Sequence, residues 1–491
     1  MASSIRRIPR RLLTIQKVLG TLLGLISLTF VPALLLAVVL QESCYDAFLK
    51  SFLLTAMSGL GLWWPVRRLR YELRLRDGFL ITAGAWVLAC VVASIPFMLA
   101  PPSLSLTGAM FESISGLTTT GATIITHLDG LPRSVLLYRQ SLNFYGGMGL
   151  VLLAVAILPM LKVGGMQLFR AEATGPTKDT KLTPRIAETA KALWKVYLVL
   201  TLMCMLAYWA AGMNFFDAIC HSLSTVATGG FSTHDASFAY WNNPMIEAVA
   251  IVFMLVGGIN FGLHYVAWRR ATMQPYQSDT ELHYFAYIGL VVTAIVTLLL
   301  WFSGTYGSLP EALRHAAFQV VSNLTTSGFT LEDFSLWPSL VPLLMMMVGF
   351  IGGSSGSTSG GMKVARVVMA VRQALREVSQ LVHPKGQFIV KMGGHRVSER
   401  IVLSVGAFCT LYMICFLAVM FALAATGLDL ITAFAAAATS INNMGPGLGD
   451  VSVHFGTLPP VAVWICSFAM LLGRLEVFTV LVLLTPAFWR E

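Results

Sequence analysis

Apolar runs long enough to cross a bilayer recur along the whole chain, separated by short polar segments. A helix needs about 20 mostly apolar residues to span the hydrocarbon core. The pattern predicts an all-α polytopic membrane protein with ten transmembrane helices, near residues 18–40, 48–66, 79–100, 136–160, 192–212, 245–267, 284–303, 340–362, 401–425 and 458–484. The first run is too long for the apolar part of a cleaved signal peptide and no small-residue cleavage site follows it, so we expect it to remain as a span.

Four segments between the predicted spans are too short or too polar to cross the membrane. They align without gaps and end at Gly121, Gly230, Gly328 and Gly445, with Ser or Thr six residues before each glycine and an aliphatic residue four before it. Such similarity at equivalent places predicts an internal fourfold repeat of span, short re-entrant helix, polar loop and span. Because each unit has two crossings, the units are parallel and can close around an axis along the membrane normal.

The repeat sets the predicted division of the chain. Residues 1–76 form an N-terminal tail and an extra pair of spans, and the four units are 77–180, 181–275, 276–385 and 386–491.

Backbone at membrane depth must be satisfied by protein or by the contents of a cavity. Four re-entrant loops around one axis would point their carbonyls at a common line, where a dehydrated monovalent cation can replace its water shell with them. The predicted filter residues are Thr119, Thr120, Gly121, Thr228, Gly229, Gly230, Thr326, Ser327, Gly328, Asn443, Met444 and Gly445. The alternative is four ordinary outer turns with capping residues. The sequence has no carboxylate ring at equivalent positions, which argues against a divalent-cation channel.

Composition and charge support a membrane protein. Of the 491 residues 56% are hydrophobic and 11% are charged, far below the share of about a quarter in soluble proteins. The net charge of +10 would suggest nucleic acid in a soluble protein, but here it marks topology. Most basic residues fall in segments that the ten-span pattern puts on one side: Arg6–Lys17, Arg67–Arg76, Lys162–Lys195, Arg269–Arg270, Lys363–Arg400 and Arg490. We therefore expect both termini in the cytoplasm, membrane lipid around the protein and no nucleic-acid partner.

Two features inside the predicted spans indicate a gate. The eighth span is interrupted by ten residues that are all Gly, Ser or Thr and cannot hold a stable helix: Gly352, Gly353, Ser354, Ser355, Gly356, Ser357, Thr358, Ser359, Gly360 and Gly361. Arg474 lies within the last span, where an ionisable residue is costly and usually functional. The alternatives are a kink or a close crossing of small residues for the loop, and an ion pair with Glu476 for Arg474.

On these motifs the sequence resembles the Trk/Ktr/HKT superfamily of potassium transporters, and within it the bacterial TrkH/TrkI-type membrane subunit. The resemblance covers nearly the full chain and implies potassium uptake across the bacterial inner membrane. In the family, serine at the first filter glycine goes with sodium transport, so Gly121 favours potassium as the bound and transported ion. The fourth filter strand departs from the family's Thr-rich pattern with Asn442, Asn443 and Met444.

The resemblance further implies that the Gly/Ser loop blocks the pore below the filter and that Arg474 adds a positive barrier there. It implies a homodimer and a peripheral TrkA-type nucleotide-binding subunit docked on the basic loops, with no cofactor in this chain. The main alternative is a symporter that couples potassium to sodium or protons. An enzyme would need clustered His, Asp or Glu at one interface, and the short outer loops have none.

Overall fold

The structure is a computed structural model that describes residues 10–69, 75–149, 186–338 and 340–490. In chain order its helices are α1 (Arg10–Ser27), α2 (Val31–Val39), α3 (Tyr45–Trp63), α4 (Leu75–Leu99), α5 (Leu106–Leu117), α6 (Arg133–Gly147), α7 (Ile186–Ala210), α8 (Phe215–Val226), α9 (Pro244–Gly258), α10 (Phe261–Arg270), α11 (Gln274–Ser278), α12 (Thr280–Phe302), α13 (Leu309–Leu324), α14 (Leu340–Ile351), α15 (Val364–Val382), α16 (Glu399–Ala424), α17 (Leu430–Asn442), α18 (Pro460–Arg474), α19 (Phe478–Leu484) and α20 (Pro486–Trp489). A small antiparallel hairpin pairs β1 (Lys391–Met392) with β2 (His395–Arg396).

Each predicted span contains helix in the described residues, but the eighth, 340–362, is helical only as far as Ile351. In the described residues, five helical stretches are long and apolar enough to span a membrane: Leu12–Val39, Asp77–Leu99, Ala190–Ala210, Thr280–Phe302 and Glu399–Ala424. Two more candidates are bent pairs, α9 with α10 at 95° and α18 with α19 at 112°. The end of the predicted span 136–160 and most of the basic segment Lys162–Lys195 lie outside the described residues.

Four short helices, α5, α8, α13 and α17, have most of their residues buried, and each packs between the helices that precede and follow it. The result is four helix triplets: α4–α5–α6, α7–α8–α9, α12–α13–α14 and α16–α17–α18. Each short helix is started by a side chain that accepts from a first-turn amide, namely that of Ser105, Asn214, Ser308 or Asp429. Such caps satisfy amides that the helix itself leaves unpaired.

The triplets close into a ring through one repeated contact. The third helix of each triplet packs against the short helix of the next: α6 on α8, α9 on α13, α14 on α17, and α18 back on α5. This cyclic order of contacts is the order expected if four repeated units close around one axis.

The first helices form a separate hairpin at the side of the ring. Helices α1 and α3 cross at Gly20 and Gly59, where a Cβ on Gly59 would lie 2.8 Å from the Gly24 amide nitrogen and 3.0 Å from the Gly20 carbonyl oxygen. The absence of side chains lets the two backbones touch, as in other close crossings of small residues in membranes.

Gly59→Ala should destabilise this crossing, because its methyl group would overlap the α1 backbone at a cost of about 1–3 kcal/mol. Gly61→Ala is the matched control, since no atom lies within 4 Å of a Cβ there. Thermal unfolding of the purified protein in detergent should show a lower Tm for Gly59→Ala and no loss for Gly61→Ala. Equal Tm values would contradict the close crossing.

Candidate ion site formed by four glycine segments

The four short helices end in the same backbone turn. We call residues 118–121, 227–230, 325–328 and 442–445 the glycine segments. In each, the amide just before the final glycine donates to the carbonyl five residues earlier: Thr120 to Ser115, Gly229 to Ser224, Ser327 to Ser322 and Met444 to Thr439. The Ser or Thr six residues before each final glycine is therefore the residue whose carbonyl closes the turn. Hydrogen bonds of this kind commonly end a helix at a glycine.

The same turn places two residues of every segment in the left-handed region. Two before the final glycine, φ is 55° at Thr119, 50° at Thr228, 53° at Thr326 and 52° at Asn443. The final glycines have φ between 76° and 93°. A β-branched residue with positive φ is a strained conformation, and three equivalent threonines hold it. Strain of this kind is kept where the surrounding structure fixes it and often marks a functional site.

The glycine segments form a closed ring of backbone. A Cβ on Gly121 would lie 2.5 Å from the carbonyl oxygen of Gly229, and one on Gly445 would lie 2.8 Å from that of Thr120. A Cβ on Gly230 would lie still closer to the Ser327 carbonyl oxygen, and a Cβ on Gly328 would lie still closer to the Met444 carbonyl oxygen. Each final glycine thus abuts the carbonyl that precedes the glycine of the next segment, in the order in which the triplets pack.

All twelve predicted filter residues are therefore brought together, each triplet contributing three in the same conformation. All but Gly121 and Gly230 are buried or nearly so, and those two are intermediate. The ring can offer backbone carbonyl oxygens to a bound ion, and the four short helices point their partly negative C-terminal ends toward it.

An ion pair outside the predicted filter residues stands behind the first two segments. Arg139 and Glu112 have side chains 1% and 0% exposed, and the Arg139 Nε donates to the Glu112 Oε1 at 2.8 Å. Glu112 also accepts from the Thr123 hydroxyl and the Ile124 amide, just after the first segment. Arg139 donates to the Ser232 carbonyl, just after the second. The pair thus fixes the chain just after the first and second segments. The sequence repeat does not reveal it, because the other short helices have no such pair at this place.

The Gly/Ser loop lies directly against three of the four segments. The Gly360 amide donates to the Thr326 hydroxyl at 2.6 Å, and the Gly361 amide to the Asn442 carbonyl at 3.2 Å. The Thr358 hydroxyl accepts from Thr228 and lies 3.1 Å from the Val226 carbonyl oxygen. As the sequence predicts, residues 352–361 form no helix.

Arg474 connects this loop to the first triplet. It is the last residue of α18, at the 112° bend, and its guanidinium donates to the Thr358 carbonyl at 3.0 Å. It also donates to the carbonyls of Gly146 and Gly147 at the end of α6. Glu476, the partner that the sequence offered as an alternative, pairs with Arg366 at 3.0 Å.

A carboxylate ties the loop to the helix that follows it. Glu281, at the start of α12, accepts from the amide of Ser355 at 2.6 Å and from that of Ala365 at 3.1 Å. Since Ser355 lies in the loop and Ala365 in the first turn of α15, movement of α15 would pull on the loop.

His234 bridges the turn at Asp129 and the first turn of α8 at Asp217. Its imidazole contacts the carboxylates of Asp129 and Asp217 and stacks on Tyr240 with ring centroids 3.5 Å apart. Burial lowers the pKa of His234, but its hydrogen bonds to Asp217 and Asp129 outweigh burial, and the pKa is raised.

The ring of short buried helices, enclosed by long apolar helices, defines a multi-pass α-helical membrane protein. Comparison with known proteins gives the family. The chain matches the TrkH family of cation transport proteins over residues 45–490, and it belongs to that family. The family is one of transport proteins, not of enzymes.

Relatives of known name cover almost the whole chain. It is 49% identical to "Trk system potassium uptake protein TrkH" of Halomonas elongata, over 97% of this chain and 99% of that one. It is 36% identical to the TrkI protein of the same organism over 98% of each chain. The crystal structure of the potassium transporter TrkH from Vibrio parahaemolyticus superposes with a TM-score of 0.89 at 44% identity, covering 98% of this chain and all of that one.

The contacts of His234 predict a pH-dependent stability. An unfolded histidine titrates near about pH 6.5. Because the folded pKa of His234 is raised, its stabilising charge is fully present below that pH and is lost as pH rises through the folded value. The Tm of wild type should therefore fall, relative to His234→Gln, between about pH 6 and pH 9. His383→Gln, which changes an exposed histidine, should follow wild type. Parallel curves for wild type and His234→Gln would contradict the charged bridge.

Proposed function

We propose that this protein takes up potassium across the bacterial inner membrane through the ring of glycine segments, and that the Gly/Ser loop gates the path. The observation that carries the proposal is the closed contact of four equivalent segments, each glycine against the next carbonyl. The names of its relatives support the ion, since proteins 49% and 46% identical to this chain are named potassium uptake proteins.

In this proposal, potassium sheds its water at the ring and is held by backbone carbonyls in place of its hydration shell. The membrane potential supplies the driving force, about 2.3 kcal/mol per 100 mV for each charge. Gly121 keeps the first segment free of a side chain where it meets the Gly229 carbonyl. The chain requires no cofactor for this role.

The loop and Arg474 would close the inner side. The loop hydrogen-bonds to the second, third and fourth segments, and Arg474 reaches the first triplet, so the two together lie across the base of the ring. A guanidinium at this place also repels a passing cation. Opening would then require the loop to leave its contacts, with Glu281 and α15 moving together.

Topology and assembly follow the same proposal. We propose ten crossings with four re-entrant helices, the division at residues 76, 180, 275 and 385, and both termini in the cytoplasm. The relatives are named as parts of a Trk system, which supports assembly with other components. We propose a homodimer with a TrkA-type nucleotide-binding subunit on the basic loops, where it could move α15.

The symporter alternative is less favoured. Coupling to sodium or protons would need ionisable groups that are exposed to each side in turn. Arg474 and Glu476, the residues that the sequence offered for this role, contact backbone carbonyls and Arg366 respectively.

Potassium uptake can be tested in cells that lack their own potassium uptake and express this protein with its cytoplasmic partner. Wild type should restore growth at low potassium and take up rubidium. Gly121→Ser should shift the preference toward sodium by at least about tenfold, a free-energy difference of ~1.4 kcal/mol, because the new side chain would overlap the Gly229 carbonyl. Gly61→Ala is the control. If rubidium uptake stays at the empty-vector level although both proteins reach the membrane, potassium is the wrong substrate.

Gating can be tested with deletion of 352–361 and with Arg474→Gln. Both should raise rubidium uptake in the absence of the cytoplasmic partner, since both remove contacts that hold the path closed. Arg474→Gln matters most, because it leaves the chain length unchanged. Lys385→Gln, which changes an exposed basic residue, should behave as wild type. Uptake by Arg474→Gln no higher than wild type, at equal amounts in the membrane, would refute the barrier role.

A further inference from the structure

The third helices of the four triplets each have a glycine at an equivalent position. Gly146 approaches the Leu117 carbonyl, Gly257 the Val226 carbonyl and Gly473 the Ile441 carbonyl, in each case at the end of the short helix of the same triplet. Gly349 is the matching residue of α14. Three positions before these glycines, the residues are Asn143, Met254, Met346 and Met470, all with 0% exposure. A polar side chain thus occupies in the first triplet a place that methionine fills in the other three.

Two third helices, α14 and α6, directly contact the residue before the final glycine of the next segment, and α18 reaches that residue through Asn443. In α14, Gly349 abuts the Met444 sulfur. In α18, Met470 accepts through its carbonyl from the Asn443 amide, which also donates to the Thr120 hydroxyl at 2.9 Å. In α6, the facing residues are Asn143 and Gly229.

The second segment lacks the paired hydroxyls that the first and third segments have. In the first segment, the hydroxyls of Thr118 and Thr120 pair at 2.7 Å. In the third, those of Thr325 and Ser327 pair at 2.8 Å. The corresponding residues of the second segment are Ala227 and Gly229, which bring no polar side-chain atom to the ring.

Asn143 occupies the missing space. A Cβ on Gly229 would lie 2.7 Å from the Asn143 Cβ and 2.5 Å from its Cγ, and would overlap its Nδ2. Gly229 does not have a positive φ, unlike Gly121 and Gly230. Its backbone therefore does not require glycine, and the Asn143 side chain is what excludes a larger residue.

The side-chain amide of Asn143 is also buried without hydrogen bonds to the described residues. Neither its Oδ1 nor its Nδ2 has a hydrogen-bond partner among the residues that the structure describes. An unpaired buried amide is unfavourable, and a methionine, as in the other triplets, would fill the same depth without that cost. The polar group next to Gly229 thus calls for a role other than packing.

We propose that Asn143 is a specificity-determining positioning residue, which supplies from α6 the polar side chain that the second segment lacks. This inference rests on the proposed function. By filling the space behind Gly229, Asn143 keeps the Gly229 carbonyl against Gly121 and so sets the width of the ring at one of its four contacts. Discrimination between potassium and sodium depends on the placement of such carbonyls.

A reciprocal pair of substitutions tests the proposal. Asn143→Ala should lower the preference for rubidium over sodium by about tenfold, because the second segment loses its support. Gly229→Ser alone should abolish uptake, because its side chain meets Asn143. Asn143→Ala combined with Gly229→Ser should recover uptake and selectivity, because the polar atom then stands on the strand as Ser327 does. If a single variant lost uptake only because it failed to fold, adding the second substitution would not restore uptake.

Two controls make the rescue specific. Met254→Ala combined with Gly229→Ser should remain inactive, since Met254 lies at another junction. Asn143→Ala should not rescue Gly230→Ser, because Gly230 has a φ of 76° and faces a backbone carbonyl. The rise in Tm of each purified variant with potassium should also be compared with the rise with sodium, because this difference measures ion binding without transport.

The outcomes separate the two claims. Wild type that takes up no rubidium and gains no stability from potassium would overturn the proposed function, and with it the role of Asn143. Selective wild type together with an equally selective Asn143→Ala variant, or a double variant no better than Gly229→Ser, would overturn the inference about Asn143 alone.

Discussion

The contact on which the structure depends is the approach of each final glycine to the carbonyl that precedes the glycine of the next segment. Any Cβ at these four places would overlap backbone, so the segments close only because all four residues are glycine. Their turns are fixed by equivalent hydrogen bonds to the short helix behind them. The third helices then pack close to those short helices, because their own glycines meet the carbonyls at the helix ends. Backbone geometry, not side-chain chemistry, makes the ring.

Side chains break the fourfold symmetry that the backbone keeps. The ion pair of Arg139 with Glu112 supports the exits of the first two segments, and at the place of Glu112 the second triplet has His221, which contacts the Ser232 hydroxyl. The Gly/Ser loop interrupts the third unit, and Arg474 comes from the fourth. A single chain with four unlike units can therefore keep one ring of carbonyls while giving each unit a separate task, which four identical subunits could not do.

Much of this architecture was predictable from the sequence, because glycine, short polar loops and apolar length each act locally. The repeat, the four glycines and the non-helical 352–361 follow from patterns within a few residues. The bends at Asn260 and Arg474 were not predicted, since hydropathy treats a broken helix as one span. Asn143 was missed because its partner, Gly229, is distant in sequence and was predicted only as a filter residue, with no side chain assigned to the space beside it. Ion pairs such as Arg366 with Glu476 likewise depend on the assembled fold.

The central claim is that the four segments bind one line of potassium ions, and diffraction from crystals grown in rubidium tests it most directly. Rubidium scatters anomalously and replaces potassium with little change in size. The account predicts anomalous peaks on the axis of the ring, within coordinating distance of the carbonyls of Thr120, Gly229, Ser327 and Met444, that weaken when sodium replaces rubidium. Peaks confined to the periphery of the protein, with none on the axis at saturating rubidium, would contradict it.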